Sequence, residues 1–264
     1  MSPIMNIAVK AARRAATIIL QSIEKLDYIQ VTEKEDNDFV TEVDKQAEQI
    51  IIQTIKEAYP NHGILAEESG EQEGGDYVWI IDPLDGTKNF MHGFPHFSIS
   101  IAVKKDNRIE HGLIYDPNRD ELFVASRGEG ARLNHRRLRV TDRTTMPGAL
   151  LGTGFPFRKK ELLKEYLATF EALFTQCGGV RRAGSAALDL AYVAAGRLDG
   201  FWEYALNPWD IAAGVLMIKE AGGLVADFEG GENYFESGNL VAANPKLLKL
   251  ILQTLSNARG KSKI

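Results

Sequence analysis

The sequence predicts a mixed fold in two lobes, α+β in its first part and α/β in its second. Three observations carry that expectation. Two helix-period segments open the chain, a series of short strand-like segments separated by turn signals follows to about residue 125, and from about residue 149 strand-like and helix-like segments alternate. Consecutive short strands pair as an antiparallel meander, whereas alternation of strand and helix gives a sheet flanked by helices. The boundary is expected near residue 146, with an N-terminal lobe of residues 1–146 and a C-terminal lobe of residues 147–264.

Each element has its own signal. In MSPIMNIAVKAARRAATIIL the apolar residues Ile4, Ile7, Ala8, Ala11, Ala15 and Ile18 recur at helical spacing, predicting an amphipathic helix over about 3–25. The same segment lacks the order of charged region, apolar region and cleavage site that marks a signal peptide. TEVD at 41–44 is a capping-box pattern that starts a second helix over 42–58. Strands are expected near 63–66, 77–82, 97–104, 109–115 and 121–125, then a hairpin around GEGARLN whose continuation, HRRLR at 135–139, reads as a solvated strand face. The second lobe is expected to run strand, helix 160–176, strand 178–182, helix 185–195, strand 199–203, helix 208–221, short strands and helix 245–257. Pro208 suits the first turn of a helix and Gly222-Gly223 its end, with Ile211, Val215 and Ile218 on one face between them. The basic tail RGKSK at 259–263 is expected to fray.

Composition narrows the class. The 264 residues are 44% hydrophobic and carry a net charge of −5, an ordinary globular balance with no overall attraction to nucleic acid. No apolar run approaches membrane-spanning length. The single cysteine, Cys177, cannot form an internal disulfide and reads as a small buried hydrophobe near a helix end, which fits a reducing cytoplasm. No internal repeat or low-complexity segment is present.

Three segments carry chemistry. WIIDPLDGTKNF at 79–90 puts Asp82 and Asp85 three residues apart after an apolar strand, with a Gly-Thr pair following. Read plainly, Asp, Pro and Gly make a turn. Read chemically, two carboxylates suit a hard divalent cation, and the amides of Gly86 and Thr87 at a helix start would face an anion. AEESG at 66–70 ends a strand in Glu67 and Glu68, either an ordinary charged loop or one carboxylate in a cleft with its neighbour solvated. NPWDIAAG at 207–214 places Asp210 in the first turn of an otherwise apolar helix, where it either complements the dipole or serves a shared site.

Together with NDFVTEVD (37–44), GSAALDLAYVAAGRLDGFWE (184–203) and GNLVAANP (238–245), these segments resemble the inositol monophosphatase family end to end, and closely its bacterial SuhB-like branch. The resemblance implies a five-layered αβαβα sandwich of the sugar-phosphatase type, with a metal site in the cleft between the lobes. It implies two to three Mg²⁺ per site, held by Glu67, Asp82 and the carbonyl of Leu84, and by Asp82, Asp85 and Asp210. Thr87, with Glu67, is expected to orient and activate the attacking water, and Asp44 to hold Thr87, although Asp44 also fits the capping box. Substrate contacts are expected from Asp85, Gly86, Thr87 and Asp210, from the helix start at Gly184, Ser185 and Ala186, and from Arg181 and Glu203. Arg182 reads as a subunit-interface residue. Lys34 corresponds to a lysine on a flexible loop near the metals, with a solvated loop charge as the other reading.

The implied reaction is hydrolysis of inositol monophosphate by direct attack of water, sensitive to lithium, in a homodimer. Fructose 1,6-bisphosphate, histidinol phosphate and a 3′-phosphorylated nucleotide remain alternative substrates. A second class of function also follows from the resemblance: SuhB-like proteins are associated with transcription antitermination and ribosomal RNA maturation through contacts with the transcription machinery.

Overall fold

A computed structural model of the chain describes residues 2–23, 25–26, 31–35 and 38–261. The opening periodicity becomes α1 (Pro3–Ile23), whose stripe of Ala8, Ala11, Ala12 and Ala15 is buried and lets it lie close against α2 (Glu42–Ala58). Between them stands an antiparallel hairpin, β1 (Val31–Glu35) and β2 (Asp38–Thr41), that the sequence did not predict. The acid-rich run VTEKEDNDFVT has little apolar alternation to announce a strand. Lys34 therefore lies on a strand rather than a loop, and its side chain falls outside the described residues.

The first sheet has eight strands: β3 (Gly63–Ala66), β4 (Gly70–Gln72), β5 (Tyr77–Asp85), β6 (Ser98–Lys105), β7 (Arg108–Asp116), β8 (Glu121–Ser126), β9 (Gly130–Leu133) and β10 (Arg136–Arg137). Their order is β10-β9-β8-β7-β6-β5-β3-β4, antiparallel except where β3 runs parallel to β5. The meander is as expected, and the short edge strand β4 is an addition. Arg136 and Arg137 are exposed at the other edge, where charges discourage further strand pairing.

The second sheet orders β12-β11-β13-β15-β14, formed by β11 (Leu150–Thr153), β12 (Gly179–Arg181), β13 (Gly200–Glu203), β14 (Leu224–Ala226) and β15 (Leu240–Ala243). β11 is parallel to both β12 and β13, and the remaining pairs are antiparallel. Between the sheets lie α5 (Ala186–Ala194) and α6 (Pro208–Glu220), with α6 packed on β5 to β8 and α5 reaching β11, β13 and β15. Residues Ile211 to Ile218 of α6 are buried on every side, as befits a central helix. Each such aliphatic side chain contributes about 1.5–3 kcal/mol by leaving water. Outside the second sheet, α4 (Leu163–Phe174) packs on α8 (Pro245–Lys261), with the one-turn α7 (Tyr234–Ser237) beside α6.

The order is thus α1/α2, sheet, α5/α6, sheet, α4/α8, the five layers implied by the resemblance. Three buried clusters fill the gaps, and the largest joins both sheets to α5 and α6. The middle layer comes from the second half of the chain yet covers the first sheet, so chemistry borne on the two halves meets along its ends. Two expectations need correction. Cys177 is only half-buried. The C-terminal tail is helical to Lys261, because Arg259 pairs with Glu165 at 2.7 Å and Glu229 at 2.8 Å. The last three residues of RGKSK's neighbourhood, 262–264, lie outside the described residues.

Candidate active site

The expected turn at DPLDGT is a bulged strand. β5 continues through Asp85, and its pairing slips so that Asp82 faces Ser100 while Asp85 faces Ser98. Three steps on β5 against two on β6 leave one extra residue, and Pro83 occupies that stretch, where no ladder donor is required. In a regular strand, residues three apart point to opposite faces. The extra residue cancels that alternation, and Asp82 and Asp85 both line one cleft. Asp82 is 2% exposed, and its Oδ1 accepts a hydrogen bond from the amide of Leu84 at 3.0 Å.

Gly86 then turns the chain at φ 100°, where a Cβ would stand 3.1 Å from the His96 carbonyl and 3.2 Å from that of Gly184. Only glycine fits both the angle and the space. α3 (Thr87–Met91) begins as predicted but has five residues, so its dipole adds little to anion binding. Thr87 Oγ1 lies 2.9 Å from Asp44 Oδ1 and 3.1 Å from the Leu84 carbonyl. The other oxygen of Asp44 accepts from the Thr41 amide at 2.8 Å and from the Thr41 hydroxyl, completing the capping box of α2. Both readings of Asp44 hold, one on each oxygen. Its complete burial raises its pKa against the lowering effect of Thr41.

Glu67 reaches the same cleft from the end of β3. The two amides after it, of Glu68 and Ser69, each donate at 2.8 Å to the carboxylate of Glu48, which is 3% exposed on α2. Glu48 thereby fixes the turn that aims Glu67. Sequence reasoning passed over it, although an acid one turn after Asp44 on the buried stripe of α2 was a usable signal. Glu68 is half-buried rather than solvated. From the other half, α6 brings Asp210, 7% exposed, with Oδ2 accepting from the Asn207 amide at 2.7 Å.

The helix start at Gly184–Ala186 serves Asp85. Ser185 Oγ donates to Asp85 Oδ2 at 2.5 Å and the Ala187 amide does so at 2.8 Å, so the helix start expected to meet a substrate hydroxyl also holds a carboxylate. The helix end thus ties the two halves of the chain together through a carboxylate.

The far end of the cleft is lined by Glu203, at the end of β13, and by Asp189 on α5. A Cβ on Gly154 would overlap Glu203 Oε1 at 1.8 Å, so the glycine after β11 is what makes room for that carboxyl. Asp189 was not foreseen. It is 2% exposed and its Oδ1 has no hydrogen-bond partner among the described residues. Arg182, not Arg181, faces the cleft, with its guanidinium 5.1 Å from the ring centres of both Phe155 and Phe157. Arg181 is exposed at the end of β12 and turns its Nη1 to the Val180 carbonyl. Neighbouring residues of an extended segment point to opposite faces, so a one-residue choice reverses the assignment. Arg158 was also missed: it stands 3.6 Å from Glu67 Oε1 and 3.9 Å from Asp210 Oδ2.

The acids of the cleft oppose one another's ionisation. Burial, then the charges of Glu67, Asp85 and Asp210, raise the pKa of Asp82 well above the ordinary carboxylate range. Burial and Asp210 push Asp85 up to about 7, opposed by Ser185 and Ala187. Burial and Asp210 take Glu203 to about 8, while Arg182 pulls it down, and burial followed by Glu203 raises Asp189. Acids this close resist ionising together unless a cation joins them. Among the described residues no three such side chains are gathered closely enough to hold a metal ion by themselves. The open, all-oxygen set fits Mg²⁺, which keeps several waters and takes one or two carboxylates alongside a phosphate.

The profile of the inositol monophosphatase family matches residues 1–259. The chain belongs to the inositol monophosphatase family. Within it, the chain is 55% identical to a Pseudomonas aeruginosa protein named Nus factor SuhB, over 97% of this chain and 96% of that one. The structure superposes with a TM-score of 0.94 on an extragenic suppressor protein suhB from Bartonella henselae, 43% identical, covering 96% of this chain and 98% of that one. An inositol monophosphatase from Anabaena gives a TM-score of 0.86 at 38% identity, covering 96% of this chain and 94% of that one. Family membership agrees with the five layers and with the phosphatase fold that the resemblance implied.

Proposed function

We propose that this protein is a Mg²⁺-dependent phosphomonoesterase that hydrolyses inositol monophosphate to inositol and phosphate. The observation that carries the reading is one cleft lined by Glu67, Asp82, Asp85 and Asp210 with the Thr87 hydroxyl among them. Glu67, Asp82 and the Leu84 carbonyl would hold one ion, and Asp82, Asp85 and Asp210 another, with a third shared weakly by Glu67. When bound, Mg²⁺ lowers the pKa of the attacking water and offsets the charge of the phosphate and the departing alkoxide.

The chain's own groups position the attack. Thr87 Oγ1 donates its single proton toward Asp44 Oδ1, which turns its lone pairs to accept a proton from water. Both contacts are hydrogen bonds: Glu67 accepts the other one, the water's free lone pair points at phosphorus, and on attack one proton passes to Glu67 while the departing alkoxide takes a proton from solvent. Positioning of this kind is most of what a protein supplies in phosphoryl transfer. Glu203, with a raised pKa, is suited to hold a ring hydroxyl of the polyol at the far end. Phosphate release from inositol 1-phosphate, fructose 1,6-bisphosphate, histidinol phosphate and adenosine 3′,5′-bisphosphate, each with Mg²⁺ and with EDTA, tests the reading. Mg²⁺-dependent preference for inositol 1-phosphate supports it, and a different winner replaces the substrate while keeping the chemistry.

A second reading is favoured by the name of the Pseudomonas relative, Nus factor SuhB. It assigns the protein a role beside the transcription machinery in antitermination and ribosomal RNA maturation, as a homodimer in the cytoplasm, with or without hydrolysis. A surface variant that loses the transcription phenotype while hydrolysing normally would separate the two roles. Among the described residues no helix is long and apolar enough to cross a membrane.

A further inference from the structure

Arg158 sits in the short segment Gly154–Lys159 between β11 and α4, and lines the cleft beside the four carboxylates. Its two terminal nitrogens are split between the halves of the site: Nη2 is 3.6 Å from Glu67 Oε1 and Nη1 is 3.9 Å from Asp210 Oδ2. Both distances exceed those of a close bidentate pair. Its side chain is 35% exposed, against 12% for Glu67 and 10% for Asp210, which places it at the mouth with the acids behind it. The segment is anchored around it: Phe155 and Phe157 meet edge to face at 5.6 Å, Lys88 Nζ lies 4.4 Å over Phe157, and Phe155 packs on Tyr166.

We propose that Arg158 is a phosphate-binding residue that also weakens cation binding, so that one side chain trades metal affinity against anion affinity at the same site. The inference rests on the metal-dependent phosphatase reading. A fixed positive charge beside the carboxylates repels an incoming Mg²⁺ and competes for Glu67 and Asp210. The same charge attracts the phosphate dianion that must share the cleft with the ions, and a planar guanidinium presents donors suited to phosphate oxygens. Because the side chain is partly exposed, solvent screens both effects to a modest size.

The signature is a split of opposite sign. In Arg158→Gln, Mg²⁺ binding measured by calorimetry and by thermal shift tightens about three- to tenfold, while inorganic phosphate at saturating Mg²⁺ binds about three- to tenfold more weakly. Arg158→Lys retains the charge and stays near wild type for Mg²⁺, losing only part of the phosphate affinity. A merely structural role would loosen the cleft and weaken both ligands together. Weakening of both, or no change in either, with an unaltered ligand-free melting temperature overturns the assignment. Absence of any Mg²⁺ binding by the wild-type protein overturns the underlying metal reading instead, so the two failures are distinguishable.

Discussion

The two ends of the cleft are built differently. At the metal end, Asp44, Asp82, Asp85 and Asp210 each accept at least one hydrogen bond that fixes the carboxylate, from Thr41 and Thr87, Leu84, Ser185 and Ala187, and Asn207. At the far end, Asp189 keeps a buried oxygen without a partner among the described residues, and Glu203 is positioned by the missing side chain of Gly154. One end is fixed by hydrogen bonds before any ligand arrives. The other has polar capacity left over, which suits groups that a substrate must satisfy. On the proposed reading, chemistry and substrate choice reside on separate supports, so that each can be altered without the other.

The largest expected break of that division is at the metal end. Thr87→Ala and Asp44→Asn should each lower kcat by about 10²–10⁴-fold with KM little changed, because both remove orientation of the attacking water. A loss confined to KM would remove them from the attack. At the far end, Glu203→Ala should cost about tenfold in kcat/KM for inositol 1-phosphate and much less for an aryl phosphate, as expected for one polar contact to substrate. Equal losses on both substrates would erase the distinction between the ends.

Gly154→Ala tests how Glu203 is held. The added methyl has no room beside the carboxyl, and overpacking of this kind costs about 1–3 kcal/mol, read as a lower melting temperature and a raised KM for the polyol substrate. Normal values for both would show that Glu203 moves freely. The smallest effect is protonic. Asp85 at about 7 is raised above the ordinary range, as is Asp82, so near neutral pH these groups retain protons that a bound cation drives off. Calorimetry of Mg²⁺ binding in buffers of different ionisation enthalpy should show net proton release near pH 7, shrinking as the pH rises and the acids ionise without the cation. No release there would mean that the acids do not share the ion.

Legibility followed the same division. Asp82, Asp85, Thr87, Glu67 and Asp210 stand in short motifs with local signals, and the helices and meander followed from periodicity. The bulge that brings Asp82 and Asp85 to one face was not legible, because a turn and a bulge use the same residues, Pro and Gly among them. Nor were Glu48, Asp189 and Arg158, whose meaning depends on residues brought to them from other parts of the chain. The exchange of Arg181 for Arg182 came from a strand face that cannot be chosen without the sheet, and the β1–β2 hairpin from a run too acidic to show alternation. The identity of the substrate was implied by resemblance alone, since burial and charge at the far end suit more than one polyol.

The most direct test of the account is Asp85→Asn. Its carboxylate is placed at once against the helix start of α5 and among the metal-site acids, while Asn retains an acceptor for Ser185 or Ala187. Phosphate release from inositol 1-phosphate is measured with and without Mg²⁺, beside the melting temperature. Turnover should fall at least about 10³-fold in a protein that still folds. Turnover close to wild type in the folded variant would contradict the two-cation site on which the whole reading depends.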